Sequence, residues 1–274
     1  MQSLVALETS AAARPNSIEI HQALADAYLK AECWEEAAKT YRTLLALYPT
    51  TALLFVNRIR LGASALVLAS VLILLAEIIH PALPNATANP GGFATAISSG
   101  GFLTAQLLTM LALPLWSTAA ISIYKLLSYS PDHRPAFWAM VCSVLGVALA
   151  MPGMGINAII LPLIGRLYLN GELPNLSLYL ALQSGPWPFI LRLGSFILLT
   201  GMLIFTIVIW RNPVFAKLPV SLFLLGWGIF VASGNQLPQP GLWLVGLLIA
   251  IGGLLLARSI WQQAALQFET SPQP

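Results

Sequence analysis

The chain has 274 residues, of which 58% are hydrophobic and only 8% charged, with a mean hydropathy of +0.80. A soluble domain is about a quarter charged, so this composition cannot cover a water-facing surface and reads as an integral membrane protein. The net charge of +3 comes from thirteen Lys and Arg scattered singly along the chain, which provides no basic patch and excludes nucleic acid as a partner.

Residues 1–60 hold six Lys/Arg and six Asp/Glu, whereas the other 214 hold seven and four. A polar, helix-rich head of residues 1–60 therefore precedes a membrane domain of residues 61–261 and a polar tail of residues 262–274. Within the head, Ile18 to Thr51 is a 34-residue unit containing Leu24, Ala25, Tyr28, Ala37, Tyr41 and Pro49 at repeat-like spacing. This unit resembles the tetratricopeptide repeat (TPR) family, whose period is about 34 residues. The resemblance implies two antiparallel helices brought close at Ala25 and Ala37, with Tyr28 and Tyr41 filling the gap and Pro49 ending the second helix. His21 stands where the family usually has Trp. Leu4 to Arg14, followed by Pro15, matches the last helix of a preceding repeat, because Pro15 lies 34 residues before Pro49. One and a half repeats fall short of the roughly three needed for a stacked core, so a deep concave groove is not expected. The resemblance implies a module for protein interaction, with a cytoplasmic partner or a second copy.

Crossing a hydrocarbon core of about 30 Å takes roughly 20 apolar residues. Six runs approach that length: Leu61 to Ile79, closed by His80-Pro81; Phe102 to Leu126; Ala136 to Met151, interrupted by Pro152-Gly153; Phe189 to Trp210; Leu218 to Ser233; and Leu242 to Ala257. The first is expected to act as a signal anchor, with Thr51 to Arg60 continuing as helix into it. Between the third and fourth runs, residues 152–188 are expected as a lid, an interfacial helix or a re-entrant segment.

With a cytoplasmic N-terminus, the inner flanks carry Arg58, Arg60, Lys125, Arg134, Arg211, Lys217 and Arg258, and the outer flanks only Arg166 and Arg192. Cytoplasmic loops hold the excess of Lys and Arg, so this bias predicts six spans with both termini inside, in the plasma membrane. Trp138, Trp187, Trp210, Trp243 and Trp261 fall near predicted span ends, where indole rings sit at the headgroup level. The fold class is thus all-α: a six-span transmembrane bundle with a small N-terminal cytoplasmic TPR-like head. In layout alone, the membrane part resembles uncharacterised bacterial six-span membrane proteins, and that likeness implies no activity.

Chemistry-bearing residues are few. Glu77 is the only acidic residue in a predicted span, and ionisable groups at membrane depth are costly enough to be functional candidates. It lies about 24 Å along the first helix, toward its outer end. His80 follows over the same face, and Arg192 opens the fourth span on the same side. Glu77, His80 and Arg192 together are a candidate polar-ligand or proton-relay site; the plainer expectation is an ion pair between Glu77 and Arg192, or a carboxylate reaching toward headgroups. Three histidines, at 21, 80 and 133, lie too far apart in this layout to share a metal. Cys33 and Cys142 offer no disulfide framework. Ser233 sits in a Val-Ala-Ser-Gly segment similar to the nucleophile segment of rhomboid proteases, but the last span has no His to activate it. No enzyme and no cofactor is expected. The favoured function is membrane-tethered protein interaction or scaffolding through the head, with lipid bilayer around the body; the alternative is a transporter or small-ligand sensor using Glu77, His80 and Arg192.

Overall fold

A computed structural model describes residues 4–31, 33, 36–37, 39–40, 43, 49–128, 130–212, 215–233 and 237–269. Every regular element among them is helical. The head opens with α1 (Leu4–Ala13) and α2 (Ile18–Lys30), joined by a turn at Pro15-Asn16. Leu7 and Ala11 of α1 are buried with Leu24 of α2, and Ile20, Ala27 and Tyr28 complete that small cluster. Ala25 and Ala37 are both fully enclosed. Tyr41 lies outside the described residues, as does the side chain of Pro49, whose backbone begins the next helix.

That helix, α3 (Pro49–Ile79), runs without a break from the head into the first apolar run. It stops where the sequence places its end, because Pro81 has no N–H and disfavours helical geometry at His80. After α4 (Pro90–Ser98), Ser99 caps α5 (Gly100–Leu127) by accepting from the Phe102 N–H at 3.1 Å.

The third apolar run departs from expectation. Pro152-Gly153 does not end it: α6 (His133–Gly155) passes through a π-helical turn, Ile156–Ile160, into α7 (Leu161–Leu169), and residues His133–Leu169 are one 37-residue apolar helix. The π turn has a local cause. Pro162 would otherwise drive its ring against the carbonyl of Ala158; widening the preceding turn, with Leu161 N–H donating to the Ile156 carbonyl, accommodates that residue within a continuous helix. The helix is closed by Gly171, at φ +77°, with Gly171 and Glu172 N–H donating back to Tyr168 and Leu167 carbonyls. The short α8 (Ser177–Gln183) precedes α9 (Pro186–Arg211), α10 (Lys217–Ser233) and α11 (Gln239–Glu269). The last helix thus continues through residues 262–269, expected from sequence as a polar tail.

Among the described residues, five helices are long and apolar enough to cross a membrane: Val56–Ile79, Gly100–Leu127, His133–Leu169, Pro186–Arg211 and Gln239–Gln263. α10 is apolar but shorter, at 17 residues. Helix pairs α3–α5, α5–α6, α6–α9, α9–α10, α10–α11 and α11–α3 pack together and so close a ring. Its interior is one apolar core that includes Leu66, Trp116, Phe205, Phe223, Trp227 and Ile249. Large apolar side chains such as Leu68, Leu111, Ile159, Phe196, Leu203 and Leu244 face outward, a surface suited to lipid rather than water.

Glycines set the close crossings. In α6–α9, a Cβ on Gly194 would stand 2.7 Å from the Ala150 nitrogen and one on Gly201 2.7 Å from the Ala139 carbonyl oxygen, while Gly146 lies against Leu198. These partners recede along α6 as they advance along α9, so the two helices are antiparallel. The same reasoning makes α11 antiparallel to α10, through Gly226 at Ile249 and Gly252 at Phe223, and to α3, through Gly246 at Glu77 and Gly253 at Ser70. In lipid, where burying apolar surface against another helix gains little, such small residues let backbones approach and gather van der Waals contacts.

Candidate functional site

The two ends of the ring differ. One end gathers Arg58, whose carbonyl accepts from the Ser122 hydroxyl at 3.2 Å, Arg60 stacked over Trp261 at 5.3 Å, and an ion pair from Arg211 to Asp132 at 3.6 Å. Trp138, Trp210 and Trp261, all exposed, lie at this end. The other end holds the C-terminus of α3, the N-termini of α5 and α11, and a second apolar cluster in which Phe93 and Ile97 of α4 meet Leu161 and Ile164 of α7 and Leu176.

At that second end the structure collects buried polar groups. Glu77 is 3% exposed and His80 4%. The Glu77 stem rests on Gly246 of α11, where a Cβ would stand 3.1 Å from Glu77 Cβ. The His80 ring faces Phe102 of α5 at 5.4 Å between centroids, and its Nδ1 lies 2.9 Å from the Pro81 carbonyl oxygen. Burial lowers the pKa of His80 from its ordinary value, the bond to Pro81 opposing that shift. From α11, Gln239 Nε2 donates to the His80 carbonyl at 2.6 Å. One turn along α5 from Phe102, Gln106 is 5% exposed. Glu77 Oε2, His80 Nε2 and Gln106 Oε1 are all buried without a hydrogen-bond partner.

Arg192 is not part of this group. It is exposed on α9, a helix that packs on α6 and α10, and no ion pair joins it to Glu77 among the described residues. Glu77 does not reach out to headgroups either, being enclosed between helices. The sequence therefore singles out Glu77 and His80, which share this end, while Gln106 and Gln239 escape it. Gln106 was visible as the one amide inside the second apolar run; nothing local marks Gln239, because its partner is 159 residues away.

In the head, Leu24 is buried, Ala25 and Ala37 are wholly so, and the Tyr28 hydroxyl donates to Glu8 Oε1 of α1 at 2.6 Å. That bond, aided by burial and the nearby carboxylates, pushes the Tyr28 pKa up to about 12. At the ring centre, a small cavity is lined by Ser70, Ile73, Trp116, Phe223, Trp227 and Ile249 among others. Ser70 Oγ and the indole nitrogens of Trp116 and Trp227 are buried and unpartnered. No group of three or more His, Cys, Asp and Glu arranged to hold a metal occurs among the described residues.

Compared with protein-family models, with curated proteins and with solved structures, the chain has no significant match.

Proposed function

We propose that the chain is a six-span plasma-membrane protein with both termini in the cytoplasm, whose TPR-like head docks a protein partner or a second copy of itself, without enzymatic chemistry. The docking reading is supported by a packed head, in which Ala25 and Ala37 have no exposed surface and α1 is bonded to α2 through Tyr28. The orientation is supported by the end of the ring that gathers Arg58, Arg60 and Arg211, with Lys125, Arg134, Lys217 and Arg258 on the same flanks. α10 counts as the sixth span because it lies antiparallel to α11 along the ring and, at about 25 Å by helical rise, needs only modest local thinning of the bilayer. Two measurements test this. Reporter fusions after Asn89 and Asn235 should read outside and those after Pro131 and Pro213 inside; a swapped signal at any of them defeats the six-span arrangement. Affinity capture and sizing of the intact protein, against a form lacking residues 1–50 and against Ala37→Trp, should show a retained partner or dimer that both changes release.

A second reading, a transporter or small-ligand sensor, is favoured by one observation: Glu77, His80 and Gln106 are enclosed at one end of an apolar ring with unsatisfied atoms. Holding such groups dry and unpaired costs several kcal/mol, a cost that a bound polar ligand would offset.

A further inference from the structure

We propose that Glu77, Gln106 and His80 form a binding site for one small ammonium-type cation. The proposal rests on the second reading above and names its ligand class. Three acceptor atoms lie buried at this end of the ring. His80 Nδ1 faces a carbonyl, which can only accept, so Nδ1 carries the proton and the neutral ring presents a lone pair at Nε2. Gln106 Oε1 and Glu77 Oε2 are the other two, and all three are buried without partners.

Helix register places Glu77 and Gln106 within about one helical turn of each other in depth. A Cβ on Gly101 would stand 3.1 Å from the Ile79 carbonyl oxygen, and Ser122 reaches the Arg58 carbonyl, so α3 and α5 run antiparallel with Ile79 opposite Gly101. Glu77 then lies about 3 Å and Gln106 about 7.5 Å inward of that crossing, at 1.5 Å per residue. Helical side chains lean toward their own N-terminus: Glu77 leans inward on α3 and Gln106 outward on α5, which narrows that difference. His80 follows Glu77 over the same face.

No described cation neutralises the carboxylate. The helices packed along α3 carry Lys125 and Arg258 at the opposite end, and Arg166 and Arg192 are exposed. With Glu77 ionised, a ligand of charge +1 therefore matches the site. Its donors must satisfy a carboxylate oxygen, an amide oxygen and an imidazole nitrogen. N–H groups suit all three, whereas hard alkali and alkaline-earth ions favour oxygen over imidazole nitrogen. The ring of Phe102 beside His80 adds an aromatic neighbour for a cation.

The test is thermal unfolding of the purified full chain in detergent, in amine-free buffer at constant ionic strength, titrated with ammonium, methylammonium, sodium or potassium chloride. Ammonium should raise Tm saturably in wild type, and the half-saturating concentration should rise at least about tenfold in Glu77→Gln and in Gln106→Leu, each losing a charge-assisted or direct hydrogen bond. Should one variant fail to fold, the other and Gly246→Ala, which displaces the Glu77 stem without removing an acceptor atom, still test the site. Equal stabilisation by sodium and ammonium, lost in Glu77→Gln, overturns the ammonium assignment and leaves a cation site standing. No saturable response to any cation overturns the proposal; if Glu77→Gln also leaves stability and phenotype unchanged, the polar-ligand reading falls as well.

Discussion

The side-chain amide of Gln239 donates to the main-chain carbonyl of His80 at 2.6 Å, joining the first residue of α11 to the residue that follows α3. A helix C-terminus leaves carbonyls without partners, and here a side chain from a distant segment satisfies one of them in a partly buried setting. Gln239→Ala should orphan that carbonyl and cost about 1–3 kcal/mol, read as a lowered Tm in detergent. Gln239→Glu should be no better, since a carboxylate cannot donate to a carbonyl. Unchanged melting of both variants would mean that the contact contributes nothing.

The α6–α9 crossing predicts a sharp contrast between glycines. At Gly194 a methyl group would meet Ala150 nitrogen at 2.7 Å and Gly146 oxygen at 2.9 Å, all main chain, so neither side can yield by rotating. Gly194→Ala should destabilise the bundle by about 1–3 kcal/mol through overpacking. At Gly155, nothing lies within 4 Å of the place a methyl group would take, and Gly155→Ala should be neutral or slightly stabilising because alanine favours helix. Comparing the two melting curves checks both.

The head should lose stability in alkali. Tyr28 titrates near 12 when folded, against an ordinary value near 10. Its folded pKa is raised, so the bond's contribution is complete below pH 10 and is lost as pH rises through 12. Tyr28 is only partly buried, so solvent screening keeps the effect modest. Protease susceptibility of α1 should increase across this window in wild type. In Tyr28→Phe it should be higher at neutral pH and lack the Tyr28-dependent rise.

How much of this was legible in advance follows from the range of the forces involved. Apolar runs of the right length announce long helices because helical hydrogen bonds are local and lipid supplies no alternative partners; α3, α5 and α9 accordingly begin or end within a few residues of the expected places. The stop at Ile79 is equally local, a consequence of Pro81. Pro152 misleads for a related reason: a proline interrupts one backbone bond, but a helix held by packed neighbours carries it without ending, and the later Pro162 is taken up in a π turn.

The candidate site divides in the same way. Glu77 stands out from composition alone, as an acid among apolar residues, and its spacing to His80 follows from helical period. Its surroundings do not. Which residues meet it depends on α3 lying antiparallel to both α5 and α11, an arrangement set by where Gly101, Gly246 and Gly253 permit close approach. Arg192 shares the correct end with Glu77 in any alternating topology, yet its helix belongs to a different part of the ring and leaves the side chain exposed. Helical period ties together residues three or four apart, whereas the choice among several apolar helices of nearly equal hydropathy is made by side-chain shape, and shape complementarity appears only once the helices are packed.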